Sequence, residues 1–258
     1  MNVATRTVWV TGAASGMGAA HARRFAELGD RVGCWDLQVD ALHTLVEEIR
    51  AGGGVAEAVV ADVTDPVAVD AGAARLREAL GPADVVVVNA GIILTGEHVE
   101  ELEVDAWRRV IDVNLTGAFL TSRAAISQLR EARDGALILV SSVCGLTASA
   151  GFGAYNASKH GVIGLMRTLA NELGPDGITV NALCPGWVRT PMLDTSIEEA
   201  NADPADLGEF TDMTLIGRMV EPEEVTEAIV FLASPGARMI TGTALPIDGG
   251  LMEKRAWP

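Results

Sequence analysis

Short apolar runs alternate with longer amphipathic ones along the whole chain. Runs at residues 8–10, 32–36, 55–60, 85–88, 137–140, 180–183 and 244–247 predict strands, and helical periodicity fills the gaps near 17–28, 41–49, 67–80, 105–130, 154–173 and 223–232. Pro222 stands close to the first turn of the last helix. Such alternation implies a parallel sheet covered on both faces. No Pro- or Ser-rich boundary divides the chain, so one α/β domain over residues 1–258 is expected. The rhythm breaks at about 187–219, where a mixed stretch with an acidic middle (Glu198, Glu199, Asp203, Asp206, Glu209) and an isolated Phe210 exceeds the usual connection. It reads as a substrate loop or lid, the alternative being a surface helical insertion.

Composition narrows the partners. Among 258 residues the net charge is -16, which argues against nucleic acid or an anionic membrane surface. The 3 cysteines, Cys34, Cys144 and Cys184, have neither metal spacing nor the even count of a disulfide framework, so a reducing compartment is expected. The 4 histidines, His21, His43, His98 and His160, are scattered; surface positions are expected for them, and no metal. No basic and apolar leader precedes the strand-like 7–11, which points to the cytoplasm. The longest apolar stretch, 85–94, is interrupted by Asn89 and is far shorter than the roughly 18 residues of a spanning helix, so no membrane segment is expected.

Directly after the first predicted strand comes Thr11-Gly12-Ala13-Ala14-Ser15-Gly16-Met17-Gly18, opening the first helix. Glycines at this spacing let the backbone turn tightly and approach a pyrophosphate, with the helix N-terminus facing the phosphates. Asp36 ends the second strand, where a carboxylate accepts from adenosine ribose hydroxyls and repels a 2′-phosphate. With Leu37 after it and no arginine in the glycine loop, Asp36 favours NAD over NADP. The alternative role for Asp36 is a helix N-cap. Arg31, the nearby cation, precedes the second strand and belongs at its far end.

Tyr155 and Lys159, in Tyr155-Asn156-Ala157-Ser158-Lys159, lie one turn apart on one helix face, with Ser141-Ser142 upstream. One unit charge at about 4 Å and an effective dielectric of about 20 is worth roughly 4 kcal/mol, or about 3 pKa units in favour of phenolate; burial pushes the other way.

Together these residues resemble the classical short-chain dehydrogenase/reductase family over essentially the whole chain. The motifs fall in the family's order: Thr11-Gly12-x-x-x-Gly16-x-Gly18, Asp62-Val63, Asn89-Ala90-Gly91, Asn114 with Ser142, Tyr155 and Lys159, and Pro185-Gly186 followed by Thr190. Gly217-Arg218-Met219, and Ile240-Thr241-Gly242 leading to Asp248-Gly249-Gly250, are similar to its C-terminal third. The resemblance implies a single doubly wound Rossmann domain with a seven-stranded parallel sheet. Gly12, Ser15, Gly16 and Met17 would hold the cofactor phosphates and adjoining ribose, and Asp62 and Val63 the adenine. Asn89, Ala90 and Gly91 would line the cofactor, while Pro185, Gly186, Val188 and Thr190 would position the nicotinamide. Val88 departs from the family, which usually writes Asn there.

By the same resemblance Tyr155 exchanges a proton with the substrate oxygen, Ser142 bonds that oxygen, Lys159 lowers the Tyr155 pKa and binds the nicotinamide ribose, and Asn114 holds a water linking Lys159 to solvent. The expected reaction is NAD-dependent interconversion of a secondary alcohol and a ketone. Cys144, Leu146, Phe152, Trp187, Met192 and Leu193 join Ser142 and Tyr155 as candidate substrate residues and favour a hydrophobic, cyclic, aromatic or steroid-like molecule. A thiol nucleophile at Cys144 has no evident base or cation to activate it. Arg189, if it faces the pocket, would suit a 3-oxoacyl thioester reductase; a catalytically silent NAD-binding redox sensor is the alternative from another class. Family members are commonly homotetramers, for which Val162, Leu165 and Met166 are candidate interface or core positions, and Trp257 in the tail could cover a neighbouring subunit or its own pocket.

Overall fold

Strands that are apolar along their whole length need cover on both faces, and the chain provides it. The computed structural model describes residues 5–96, 98–132, 134–193 and 212–254. β1 (Thr7–Thr11), β2 (Arg31–Asp36), β3 (Val55–Val60), β4 (Val85–Val88), β5 (Ala136–Val140), β6 (Thr179–Pro185) and β7 (Ala244–Ile247) form one sheet in the order β3-β2-β1-β4-β5-β6-β7. Every pairing is parallel. Helices α1 (Gly16–Glu27), α2 (Val39–Ala51), α3 (Pro66–Leu80), α4 (Val104–Ile111), α5 (Gly117–Glu131), α6 (Gly153–Leu173) and α7 (Pro222–Leu232) supply the outer layers. The seven-stranded expectation holds.

Alternation along β1 divides the core. Val8 and Val10 pack with Phe25 of α1, Leu42 of α2 and Ile229 of α7; Trp9 packs on the other face with Leu76 of α3, Leu129 of α5 and Met166 of α6. Val162 and Met166 are core positions within this second cluster, and Leu165, partly buried, packs against it. Val88, the departure from the family pattern, is likewise buried.

The chain leaves β1 toward β2 in one direction and reaches β4 on the other side, which opens a crevice at the carboxyl ends of these strands. The Thr11 hydroxyl spans that switch point, accepting from the backbone N–H groups of Asn89 and Ala90, each at 3.0 Å.

The helix expected over 105–130 is interrupted by a π-helical turn, Asp112–Thr116, between α4 and α5. Asn114 lies in it, and its bonds to another segment, described below, hold the extra residue in place. The 187–219 excursion is pinned at its base: Val220 N–H donates to the Trp187 carbonyl and Arg189 N–H to the Val220 carbonyl, at 2.9 and 3.0 Å. Its acidic middle, Phe210 and the Trp257 tail fall outside the described residues.

His21 corrects the expectation of a surface position. It is fully buried between α1 and α7, with Nδ1 2.7 Å from Thr226 Oγ1. His43, His98 and His160 are exposed. Among the described residues no helix is long and apolar enough to cross a membrane.

Candidate active site

A cavity of about 1040 Å³ occupies the crevice. Its floor is the glycine loop. Gly12 and Gly16 have φ of 65° and 52°, backbone that side chains with a Cβ rarely adopt. A Cβ on Gly18 would stand 1.9 Å from the Gly12 carbonyl oxygen, so the helix could not sit this close to the loop. Ser15 is the N-cap of α1 but makes no capping bond, and no acidic residue occupies the first turn. The free N–H groups and helix dipole there suit a pyrophosphate. Asn89 Nδ2 donates to the Thr11 carbonyl at 3.0 Å, while its Oδ1 is buried without a partner. A dinucleotide fits this cradle.

The carboxylates are held by backbone. Asp36 accepts from Ala14 N–H and Gln38 N–H, both at 2.9 Å, and still lines the cavity. It caps the glycine loop rather than α2, whose N-cap is Gln38. Asp62 accepts from the N–H and hydroxyl of Thr64 through one oxygen, each at 2.8 Å, and lines the same cavity as Val63 and Leu37. Met17, Ala90, Gly91 and Thr190 also line it; Pro185, Gly186 and Val188 do not. Pro185 and Val188 are buried, and a Cβ on Gly186 would lie 3.0 Å from the Asp248 backbone. Sequence reasoning missed Ile92 and Val113 as lining residues, although they adjoin Gly91 and Asn114.

Ser142, Tyr155 and Lys159 converge at the end of β5. Cys144 N–H donates to Ser142 Oγ at 3.1 Å, leaving the Ser142 proton free, and Ser142 lies near enough to Tyr155 to favour its phenolate. Lys159 donates to the Val140 carbonyl at 3.0 Å, and its nitrogen lies 5.6 Å from the Tyr155 ring centroid. Burial lowers Lys159 to about 8. Burial also pushes the Tyr155 phenol above its ordinary value, assisted by Cys144 and opposed by Ser142. The depression of Tyr155 expected from Lys159 is therefore not met in the protein alone, because desolvation of the phenolate is the larger effect.

Asn114 accepts from Ile92 N–H at 2.8 Å and donates to the Ile92 carbonyl at 2.9 Å and to Ser158 Oγ at 3.0 Å. A Cβ on Gly91 would lie 3.2 Å from Asn114 Oδ1 and 3.3 Å from Lys159 Nζ. A side chain there would press on both groups, which lie just behind the Gly91 wall of the cavity.

The substrate candidates divide. Met192 lines the cavity, Leu193 is buried, and Phe152 precedes α6, half-buried. Trp187 is also half-buried. Leu146 packs against the core. The Cys144 thiol is half-buried and burial raises its pKa, the opposite of an activated nucleophile. Arg189 does not face the pocket: it is exposed and paired with Glu221 at 3.3 Å. Among the described residues no group of three or more metal-ligating side chains is placed to hold an ion.

A family model described as enoyl-(acyl carrier protein) reductase matches residues 12–252. The chain is 40% identical over 248 residues to cis-4-hydroxycyclohexanecarboxylate dehydrogenase of Sinomonas cyclohexanicum, covering 96% of each chain. It is 37% identical over 248 residues to 2,5-dichloro-2,5-cyclohexadiene-1,4-diol dehydrogenase LinX of Sphingobium indicum, again covering 96% of each. A crystal structure of a variant actinorhodin polyketide ketoreductase with NADPH superposes with a TM-score of 0.92 at 35% identity, covering 97% of this chain and 98% of the other.

Proposed function

The chain belongs to the short-chain dehydrogenase/reductase family and is an oxidoreductase, and on that premise we propose that it is an NAD-linked dehydrogenase interconverting a secondary alcohol and a ketone on a hydrophobic, cyclic substrate. The observation that carries this reading is the convergence of the Ser142 hydroxyl, the Tyr155 phenol and the Lys159 ammonium beside a dinucleotide-shaped crevice. Support for a ring substrate comes from the hydroxycyclohexanecarboxylate and cyclohexadiene-diol dehydrogenases among the relatives.

When bound, the nicotinamide supplies the acceptor for the hydride leaving the alcohol carbon. Tyr155 takes the alcohol proton as the carbonyl forms and returns it in the reverse direction. Ser142, its acceptor side engaged by Cys144 N–H, donates its proton to the same oxygen. Lys159 stands beside Tyr155 to exchange the proton onward, and Asn114, braced on Ile92 and Ser158, sets the wall through which the proton reaches solvent. Asp36 supports NAD: its carboxylate is fixed at the ribose end of the crevice and would repel a 2′-phosphate. The thioester-reductase alternative loses its anion clamp with Arg189 turned to Glu221. We further propose one catalytic domain and a homotetramer, to which exposed Trp107 and Phe119 on α4 and α5 offer apolar surface.

Replacing Tyr155 by Phe tests the mechanism. Turnover is expected to fall at least about a hundredfold with NADH affinity within about twofold of the parent; undiminished turnover would contradict it.

A further inference from the structure

The walls of the crevice pose an electrostatic problem. Four carboxylates line it, Asp36, Asp62, Asp105 and Asp112, within a chain of net charge -16. A dinucleotide brings a doubly charged pyrophosphate into that field, and the helix dipole of α1 answers for only part of it. The cations on the described walls are Arg108 and Arg109, both from α4. Arg108 is committed, its Nη1 3.1 Å from Asp105 Oδ1. Arg109 makes no ion pair or side-chain hydrogen bond among the described residues. It lines the crevice together with Val113, Asp62 and Val63, and the start of α5 meets Val63 so closely that a Cβ on Gly117 would stand 2.8 Å from it.

We propose that Arg109 is a further cofactor-binding residue, its guanidinium closing over the adenine and compensating the carboxylates of the adenosine diphosphate half. A planar guanidinium suits this place because it stacks on an aromatic face while keeping its charge in water. The proposal rests on the reading of the crevice as a dinucleotide site.

Calorimetric titration with ADP-ribose, which lacks the nicotinamide, separates the two claims. Arg109→Gln is expected to weaken ADP-ribose and NADH alike, by about tenfold. Arg109→Lys, which keeps the charge but not the planar face that stacks, is expected to fall between the parent and Arg109→Gln, with a loss of about threefold. Arg130→Gln makes the same change of charge at the opposite end of the sheet, where Arg130 pairs with Asp176, and leaves affinity unchanged. Unaltered affinity in Arg109→Gln, an equal loss in Arg130→Gln, or an equal loss in Arg109→Lys overturns the assignment while the dinucleotide site stands. Failure of the parent protein to bind ADP-ribose or NADH overturns both.

Discussion

The ammonium of Lys159 stands over the ring of Tyr155, 5.6 Å from its centroid, and is tied to the Val140 carbonyl at 3.0 Å. Burial drives the two groups in opposite directions: the phenol is pushed up while the ammonium falls to about 8. The proton released near pH 8 is therefore that of Lys159, while the phenol keeps its own. Alcohol oxidation needs a proton acceptor, and the neutral Lys159 amine supplies one behind Tyr155, so kcat/KM for oxidation should rise by about tenfold per pH unit below that point and level above it. Lys159→Met should remove the inflection and lower the plateau by about a hundredfold or more. A profile flat from pH 6 to 9 in the parent protein would contradict this.

Asp36 holds Ala14 N–H and Gln38 N–H with its two oxygens. Asp36→Asn preserves the size of the side chain and removes its charge, so the repulsion of a 2′-phosphate disappears. The ratio of kcat/KM for NAD to that for NADP should fall at least about tenfold. Parallel initial-rate measurements with both cofactors read this out, and an unchanged ratio would locate the discrimination elsewhere.

His21 predicts an acid-sensitive fold. The Thr226 hydroxyl donates to the Pro222 carbonyl at 2.8 Å, so His21 Nδ1 is the donor in their contact and Nε2 is left a buried acceptor without a partner. Burial lowers its pKa to about 3 from 6.5. Below pH 6.5 the unfolded chain takes up a proton that the folded chain refuses, so stability falls as pH drops from 6.5 toward 3. The slope from this site approaches about 1.4 kcal/mol per pH unit. Denaturant melts of His21→Leu should be flatter over that window than those of the parent, whatever their absolute stability; equal slopes would remove His21 as the cause.

Two glycines should respond to alanine in opposite ways. At Gly18 a Cβ would collide with the Gly12 carbonyl at 1.9 Å, and separating loop from helix should cost about 1–3 kcal/mol and weaken NADH binding. At Gly164, inside α6, a Cβ meets nothing within 4 Å. Alanine there should add up to about 1 kcal/mol of helix stability. Thermal melts of the two variants check the contrast.

What was legible in the sequence follows from range. β1 and β5 announce themselves because strands buried on both faces must be apolar throughout, and the glycine loop because its spacing is a local demand of backbone conformation. The π turn was not legible, since it depends on Asn114 meeting Ile92 across 22 positions. Nor was His21, whose burial depends on α7 arriving with Thr226 across 205 positions. The direction of Arg189 was left open for the same reason, its partner Glu221 lying beyond the excursion. At Tyr155 the pairwise Coulomb estimate took in the cation, whereas the solvent lost by the phenol depends on the assembled wall.

NADH formation by the purified protein across a panel of cyclic secondary alcohols, each run in parallel with NAD and NADP, tests the central claim most directly. Turnover of ring alcohols with NAD, at least about tenfold more efficient than with NADP, is the expected result. A preference for NADP, or cofactor binding with no ring alcohol oxidised, would contradict the proposed reaction.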